Sequence, residues 1–191
     1  MEGLRIVIAE KDDSFRKSLK ETLTHSGYLV VGEAGDGMTA LKLVRSLNPE
    51  LVLIGADLPV VMGPELARII EESRLSAVVL MVGYGEKDLV RTGDRMIPLL
   101  AKPFDDFQLL SVMEYSYTAF IRMINLEKEV HRLRNDLEAR KVIERAKGIL
   151  MKSHGLTEEA AFRKIQQQSM KKRTSMKEIA RAVITAHEMS H

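Results

Sequence analysis

The densest cluster of chemically capable side chains is Lys171-Lys172-Arg173-Thr174-Ser175, near the C-terminus. Cations, hydroxyls and the amides that open a helix converge there, which suits phosphate. It belongs to a wider basic surface. Arg140, Lys141, Arg145, Lys147, Lys152, Arg163, Lys164, Lys171, Lys172, Arg173, Lys177 and Arg181 face only four acids between Arg140 and Arg181. Arg145, Lys147, Lys152, Lys164, Lys171, Lys172, Arg173, Thr174 and Lys177 are the candidate contacts to a polyanion. Gln167 and Gln168, a few positions before Arg173 and Thr174, add amide donors and acceptors. A second constellation is Glu10-Lys11-Asp12, Gly55 with Asp57, and Lys102-Pro103. No His pair, nucleophile–base pair or phosphate-cradling glycine loop is visible, so neither an enzyme nor a cofactor is expected.

The charge is divided along the chain. Residues 1–108 hold 13 Lys/Arg against 17 Asp/Glu, and residues 109–191 hold 16 against 10. A net charge of +2 over 191 residues thus conceals a basic C-terminal part that suits an anionic partner. With no cysteine, disulfides and thiol chemistry are excluded, and a cytoplasmic location fits. The apolar run near the N-terminus is too short for a signal peptide or a membrane span.

The elements that position the second constellation are readable from periodicity. Leu4–Ala9, Leu29–Ala34, Leu51–Gly55, Ala77–Val82 and Ile97–Leu100 are continuous apolar runs expected as buried parallel strands. Helix-period segments near 13–26, 37–47, 64–73, 86–93 and from 105 onward alternate with them. Five such units predict an α/β fold with a five-stranded doubly wound parallel sheet. Sites in such sheets lie at the C-terminal strand ends. Here these are Glu10–Asp13, Gly55–Pro59, Val82–Tyr84 and Lys102-Pro103.

At these positions residues 1–108 resemble a response-regulator receiver domain, through IVIAEKDD, GEAGDG, PELVLIGADLP and LLAKPF. The family transfers a phosphoryl group to an aspartate, with Mg²⁺ held by acids after the first strand. The resemblance implies that the nucleophile's place falls on Gly55, that of the second metal-binding acid on Lys11, and that of the phosphoryl-binding hydroxyl on Val82. Glu10, Asp12 and Lys102 are retained, and the Lys102-Pro103 bond is expected to be cis. The site is therefore read as degenerate and unlike a phosphoacceptor, with Asp57, two residues past Gly55, the one alternative acceptor. Lys11 is expected to pair with Glu10, Asp12 or Asp57 where the metal's charge would sit. The segment Arg91–Pro98 looks about two residues short for the family.

From Asp105 to Met151 there is no proline, and no glycine before Gly148. Leu109, Val112, Ser116, Ala119, Met123, Leu126, Val130, Leu133 and Leu137 keep alternating three- and four-residue spacings. The seam predicts a coiled-coil helix over 109–139 that forms a parallel homodimer. An intramolecular helix pair, or packing back on the first domain, is the alternative.

Residues 140–191 read as a small three-helix bundle, with apolar stripes at Val142–Leu150, Ala161–Ile165 and Met176–Ile184. Phe162, the only aromatic there, is expected in its core, which argues against base stacking. The segment resembles the ANTAR domain of transcription antitermination regulators, through Ala146-Lys147-Gly148-Ile149-Leu150-Met151, Glu159-Ala160-Ala161-Phe162, Ser169-Met170, and Ala180 with Val183. That resemblance implies binding of RNA stem-loops in mRNA leaders, with control by a regulatory partner protein one possibility. A DNA-binding regulator and a coiled-coil interaction adaptor remain the alternatives.

Overall fold

The computed structural model describes residues 3–85 and 97–189. Its strands are β1 (Arg5–Ala9), β2 (Leu29–Ala34), β3 (Leu51–Gly55), β4 (Ala77–Val82) and β5 (Leu99–Ala101). They form one parallel sheet in the order β2-β1-β3-β4-β5. Among the described residues three helices occupy the connections: α1 (Asp13–His25), α2 (Gly37–Leu47) and α3 (Gly63–Glu72). The expected helix near 86–93 falls outside the described residues, as does most of Arg91–Pro98.

Alternation along the strands builds two cores. Val7, Ala9, Val52, Ile54, Val78 and Leu80 face α2 and α3 and pack with Ala40, Val44, Leu66 and Ile70. Ile6, Ile8, Leu51, Leu53, Val79 and Met81 face the other way and meet Leu19 and Leu23 of α1. Full burial on both faces explains why these strands are continuous apolar runs rather than alternating ones.

The chain ends in α4 (Asp106–His154), α5 (Glu158–Lys172) and α6 (Met176–Glu188). It divides into two compact units, Met1–Ile124 and Asn125–His191. The division corrects the start of the coiled-coil stretch. Leu109 is 1% exposed, and with Met113 it completes the second core, where Val112, Tyr117 and Phe120 pack beside it. The heptad rhythm of 109–120 therefore serves the sheet, whose outer face needs a second helix beside α1. Met123 is half-buried, whereas Leu126, Val130, Leu133 and Leu137 are exposed.

The second unit has its own core. Ala146 and Leu150 of α4, Ala161 and Ile165 of α5, and Ile179, Ala180 and Ile184 of α6 are its buried members. Thr157 caps α5 by accepting from the Ala160 amide at 3.2 Å, and Ser175 with Glu178 forms a capping box on α6. No helix among the described residues is long and apolar enough to cross a membrane.

Candidate functional site: a self-neutralised receiver pocket and a basic helical bundle

The strand ends bring Glu10, Gly55 and Lys102 together. Glu10 leaves β1 with its carboxylate 1% exposed, and Lys102 Nζ lies 2.7 Å from its Oε2. The other oxygen, Oε1, accepts from the Asp12 amide at 3.1 Å. A Cβ placed on Gly55 would lie 2.6 Å from Glu10 Oε2. The Glu10 carboxylate thus occupies the volume that a side chain at position 55 would need. Lys102 is held further by the Phe15 ring, with Nζ 4.7 Å from its centroid, and Phe104 meets Phe15 edge-on at 5.8 Å.

Lys11 pairs with Asp57, which selects one of the three partners expected for it. Asp12 accepts from the Phe15 amide at 2.9 Å and so caps α1. Val82 is buried in the first core. The bond between Lys102 and Pro103 is cis, as expected.

These residues do not fit a divalent cation. The position of the second acid carries an ammonium, Glu10 is neutralised by Lys102, and Asp12 faces a helix terminus. Among the described residues no three His, Cys, Asp or Glu side chains are grouped to hold a metal. Two opposite-charge pairs, Glu10–Lys102 and Lys11–Asp57, balance the pocket internally. The Glu10–Lys102 pair was not foreseen from sequence. Its signal was a glutamate, one methylene longer than aspartate, opposite a glycine.

In the second unit the candidate cations separate into groups. Lys147 is withdrawn as a polyanion contact. Its side chain is 8% exposed, and Nζ donates to Glu158 Oε1 at 2.7 Å and to Glu144 Oε1 at 2.9 Å. These bonds raise its pKa above the usual lysine value, Glu158 contributing most and then Glu144, and Lys147 in turn lowers that of Glu158. Lys147 ties the end of α4 to the start of α5.

Thr174 is also redirected. Its hydroxyl donates to Glu178, whose Oε2 accepts from the Ser175 amide at 3.1 Å as well. The Thr174 hydroxyl and then the Ser175 amide hold the Glu178 pKa below the usual carboxylate value. The N-terminus of α6 already carries its own anion, so the basic loop offers charge rather than amides.

Arg173 has a structural reason for its place. It sits at φ 50°, where α5 ends in a Schellman turn: the Thr174 amide donates to Ser169 O at 3.1 Å and the Arg173 amide to Met170 O at 3.3 Å. Its side chain is exposed, as are Lys152, Lys164, Lys171 and Lys172, while Lys177 is half-buried. Lys164, Gln167, Gln168 and Lys171 are all exposed and share one face of α5 by their i, i+3, i+4, i+7 spacing. Arg145 is exposed and paired with Glu188 at 2.7 Å. Phe162 corrects its expectation: it is 41% exposed, because Ala161 and Ile165 fill the core-facing positions of α5.

Residues 6–114 match the response regulator receiver domain family, and residues 131–184 match the ANTAR domain family. Over 182 residues the chain is 38% identical to the transcriptional regulatory protein PdtaR of Mycobacterium tuberculosis strain H37Rv, covering 94% of this chain and 89% of the relative. The chain belongs to the ANTAR-domain response regulators. As a member of that family it is a two-component regulatory protein homologous to a transcriptional regulator. The receiver part is also 31% identical, over 106 residues, to sporulation initiation phosphotransferase F of Bacillus subtilis, covering 53% of this chain and 83% of the relative.

Solved structures reproduce the receiver fold. The signal receiver domain of a modulated diguanylate cyclase from Desulfovibrio desulfuricans matches with a TM-score of 0.59 at 20% identity, covering 64% of this chain and 99% of that one. The receiver domain of sensor histidine kinase PA1611 from Pseudomonas aeruginosa matches at 0.54 and 22%, covering 61% and 98%. That structure has a magnesium ion coordinated in its active-site cleft. The strand ends of this ANTAR-domain regulator carry the Glu10–Lys102 and Lys11–Asp57 pairs.

Proposed function

We propose that this response regulator is a non-enzymatic RNA-binding antiterminator of the cytoplasm. It binds hairpins in nascent mRNA leaders as a homodimer, and its receiver is not switched by phosphorylation. The set of exposed cations on the ANTAR bundle is the observation that carries this reading. Lys152, Lys164, Lys171, Lys172 and Arg173 all project into solvent from a unit whose acids are largely engaged in caps and internal pairs. RNA is favoured over duplex DNA because unpaired loop bases can be read by Arg planes and amides without entry into a deep groove.

The exposed seam Leu126-Val130-Leu133-Leu137 supports the dimer. A helix with this stripe in water gains by pairing with a second copy. We place the receiver at residues 1–124, the coiled coil at 125–139 and the bundle at 140–191 on this basis. A dimer presents two bundles, which suits paired stem-loops. With the pocket balanced by Glu10–Lys102 and Lys11–Asp57, a regulatory partner protein is the expected source of control.

Binding of labelled RNA hairpins, duplex DNA and stem-only RNA at several salt concentrations tests the reading. Hairpin binding is expected to weaken steeply with salt and to be unchanged by a small-molecule phosphoryl donor. Preference for duplex DNA, or a donor-dependent gain in affinity, overturns it.

A further inference from the structure

Gly148 lies in the interior of α4, where glycine is the least favourable residue after proline. Two glycines of the receiver show the usual packing reason. A Cβ at Gly37 would meet Val61 O at 2.1 Å, and one at Gly63 would meet Gly55 O at 2.1 Å. A Cβ at Gly148 would meet nothing within 4 Å, and its φ lies outside the left-handed region. Neither packing within the chain nor backbone conformation calls for a glycine there. Close approach of an outside group to the helix backbone is the remaining physical use of the missing side chain.

The surroundings give that group its chemistry. Gly148 lines a groove of about 460 Å³ with Arg145, Ile149, Lys152, Ser153 and His187. The five α4 residues share one face by their i, i+3, i+4, i+7, i+8 spacing, and His187 comes from the last turn of α6. A cation stands one turn to either side of the glycine. Ile149 supplies apolar surface, and Ser153 Oγ donates to Ile149 O at 2.7 Å and bonds His154 Nδ1 at 2.8 Å, which leaves one lone pair for an incoming donor. Glu188 engages Arg145 through Nη2, leaving other donors of the guanidinium fork for an incoming group.

We infer that this groove seats one unpaired nucleotide of an RNA hairpin loop, its phosphate between Arg145 and Lys152 and its sugar or base against the backbone at Gly148. Two flanking cations match the phosphate, and an apolar floor with polar edges matches a splayed nucleotide. The inference rests on the RNA reading above and adds a site at the opposite end of α5 from the Lys171–Arg173 loop.

The test uses the full chain and one hairpin selected by the wild-type protein from a pool with randomised loops. The same stem closed without that loop is the control. Gly148→Ala and Gly148→Leu are the variants. Alanine favours the helix, so Gly148→Ala is expected to melt higher than wild type while binding the hairpin about tenfold more weakly, and Gly148→Leu to lose loop-dependent binding. Lys152→Gln is expected to weaken hairpin binding and to reduce its salt slope. If wild type binds and Gly148→Leu binds equally well, the groove is refuted while the RNA reading stands. If Gly148→Leu instead alters oligomeric state with binding intact, the groove is a protein contact and the inference fails. If wild type binds no hairpin in the pool, both readings fall together.

Discussion

Glu10 reaches Lys102 with 2.7 Å between Oε2 and Nζ, through the space that an aspartate side chain at position 55 would fill. The two residues are 92 positions apart in sequence and meet because β1 and β5 run parallel and both finish at the C-terminal end of the sheet. The pocket keeps a carboxylate against its lysine without a phosphoacceptor. It is closed by substitution, not merely emptied.

Restoring the acceptor alone is therefore expected to fail. In Gly55→Asp the new Cβ falls 2.6 Å from Glu10 Oε2, and two carboxylates compete for one lysine. Incubation with acetyl phosphate and Mg²⁺, followed by intact-mass measurement, should show no adduct. Combining Gly55→Asp with Glu10→Asp and Lys11→Asp is expected to allow one. A stoichiometric adduct on the single variant would contradict this account of the pocket.

The pair is asymmetric in exposure, which makes its two halves unequal. Glu10 is 1% exposed whereas the Lys102 side chain is 24% exposed. Lys102→Ala strands a buried carboxylate and is expected to cost about 3 kcal/mol. Glu10→Gln leaves an ammonium that can turn to water and should cost about 1 kcal/mol. Urea unfolding followed by the receiver's transition tests the order, and equal losses would argue against it.

Two leucines of one heptad pattern should behave differently. Leu109→Ala removes a fully buried side chain from the receiver core and is expected to cost about 3 kcal/mol. Leu133 is exposed, so Leu133→Ala should leave the receiver's unfolding unchanged and weaken self-association. Sedimentation equilibrium beside denaturant unfolding separates the effects. Loss of receiver stability in Leu133→Ala would sink the division.

The Lys147–Glu158 pair predicts a pH signature. Glu158 is depressed below its ordinary 4.5, so its contribution is complete above pH 4.5 and is lost as pH falls through the lower folded-state value. Lys147 is raised above 10.5, so its contribution is complete below pH 10.5 and is lost as pH rises through the higher folded-state value. The melting-temperature gap between wild type and Glu158→Gln should be constant from about pH 5 to 10 and shrink on the acid side. A gap that widens in acid would mean the pair does not form.

Arg173 should trade stability for contact. Its left-handed conformation suits glycine better than arginine, so Arg173→Gly is expected to stabilise the bundle by about 1 kcal/mol. The same change removes an exposed cation and should weaken RNA-hairpin binding. If both stability and affinity drop, the Schellman turn is not what places this residue.

Much of the architecture was legible in the residues themselves. Leu51–Gly55 and Ala77–Val82 are strands with the boundaries their apolar runs mark, since a strand buried on both faces cannot tolerate polar interruptions, and the half-buried edge strand Leu29–Ala34 keeps its expected bounds too. Likewise the helix-period segment near 37–47 is α2, because that rhythm is set by neighbours a turn apart. The missing carboxylate at Gly55, the ammonium at Lys11 and the basic bias of the C-terminal unit were equally plain, being matters of residue type.

What a side chain touches was decided by tertiary structure alone. The heptad stripe from Leu109 to Leu137 is uniform in sequence, yet its first turns fill the receiver core and its later ones are bare, because only the sheet's position says where the receiver ends. Lys147 and Lys152 are the same residue type on one helix, five positions apart. One is locked between Glu144 and Glu158 and the other stands in solvent, since helix phase relative to α5 sets which can reach an acid. Lys11 had three acids within reach, and the loop after β3 brought Asp57 to it. Glu10 was free to serve a metal or a lysine. The volume left by Gly55, visible only once β1 and β3 lie side by side, turned it toward Lys102.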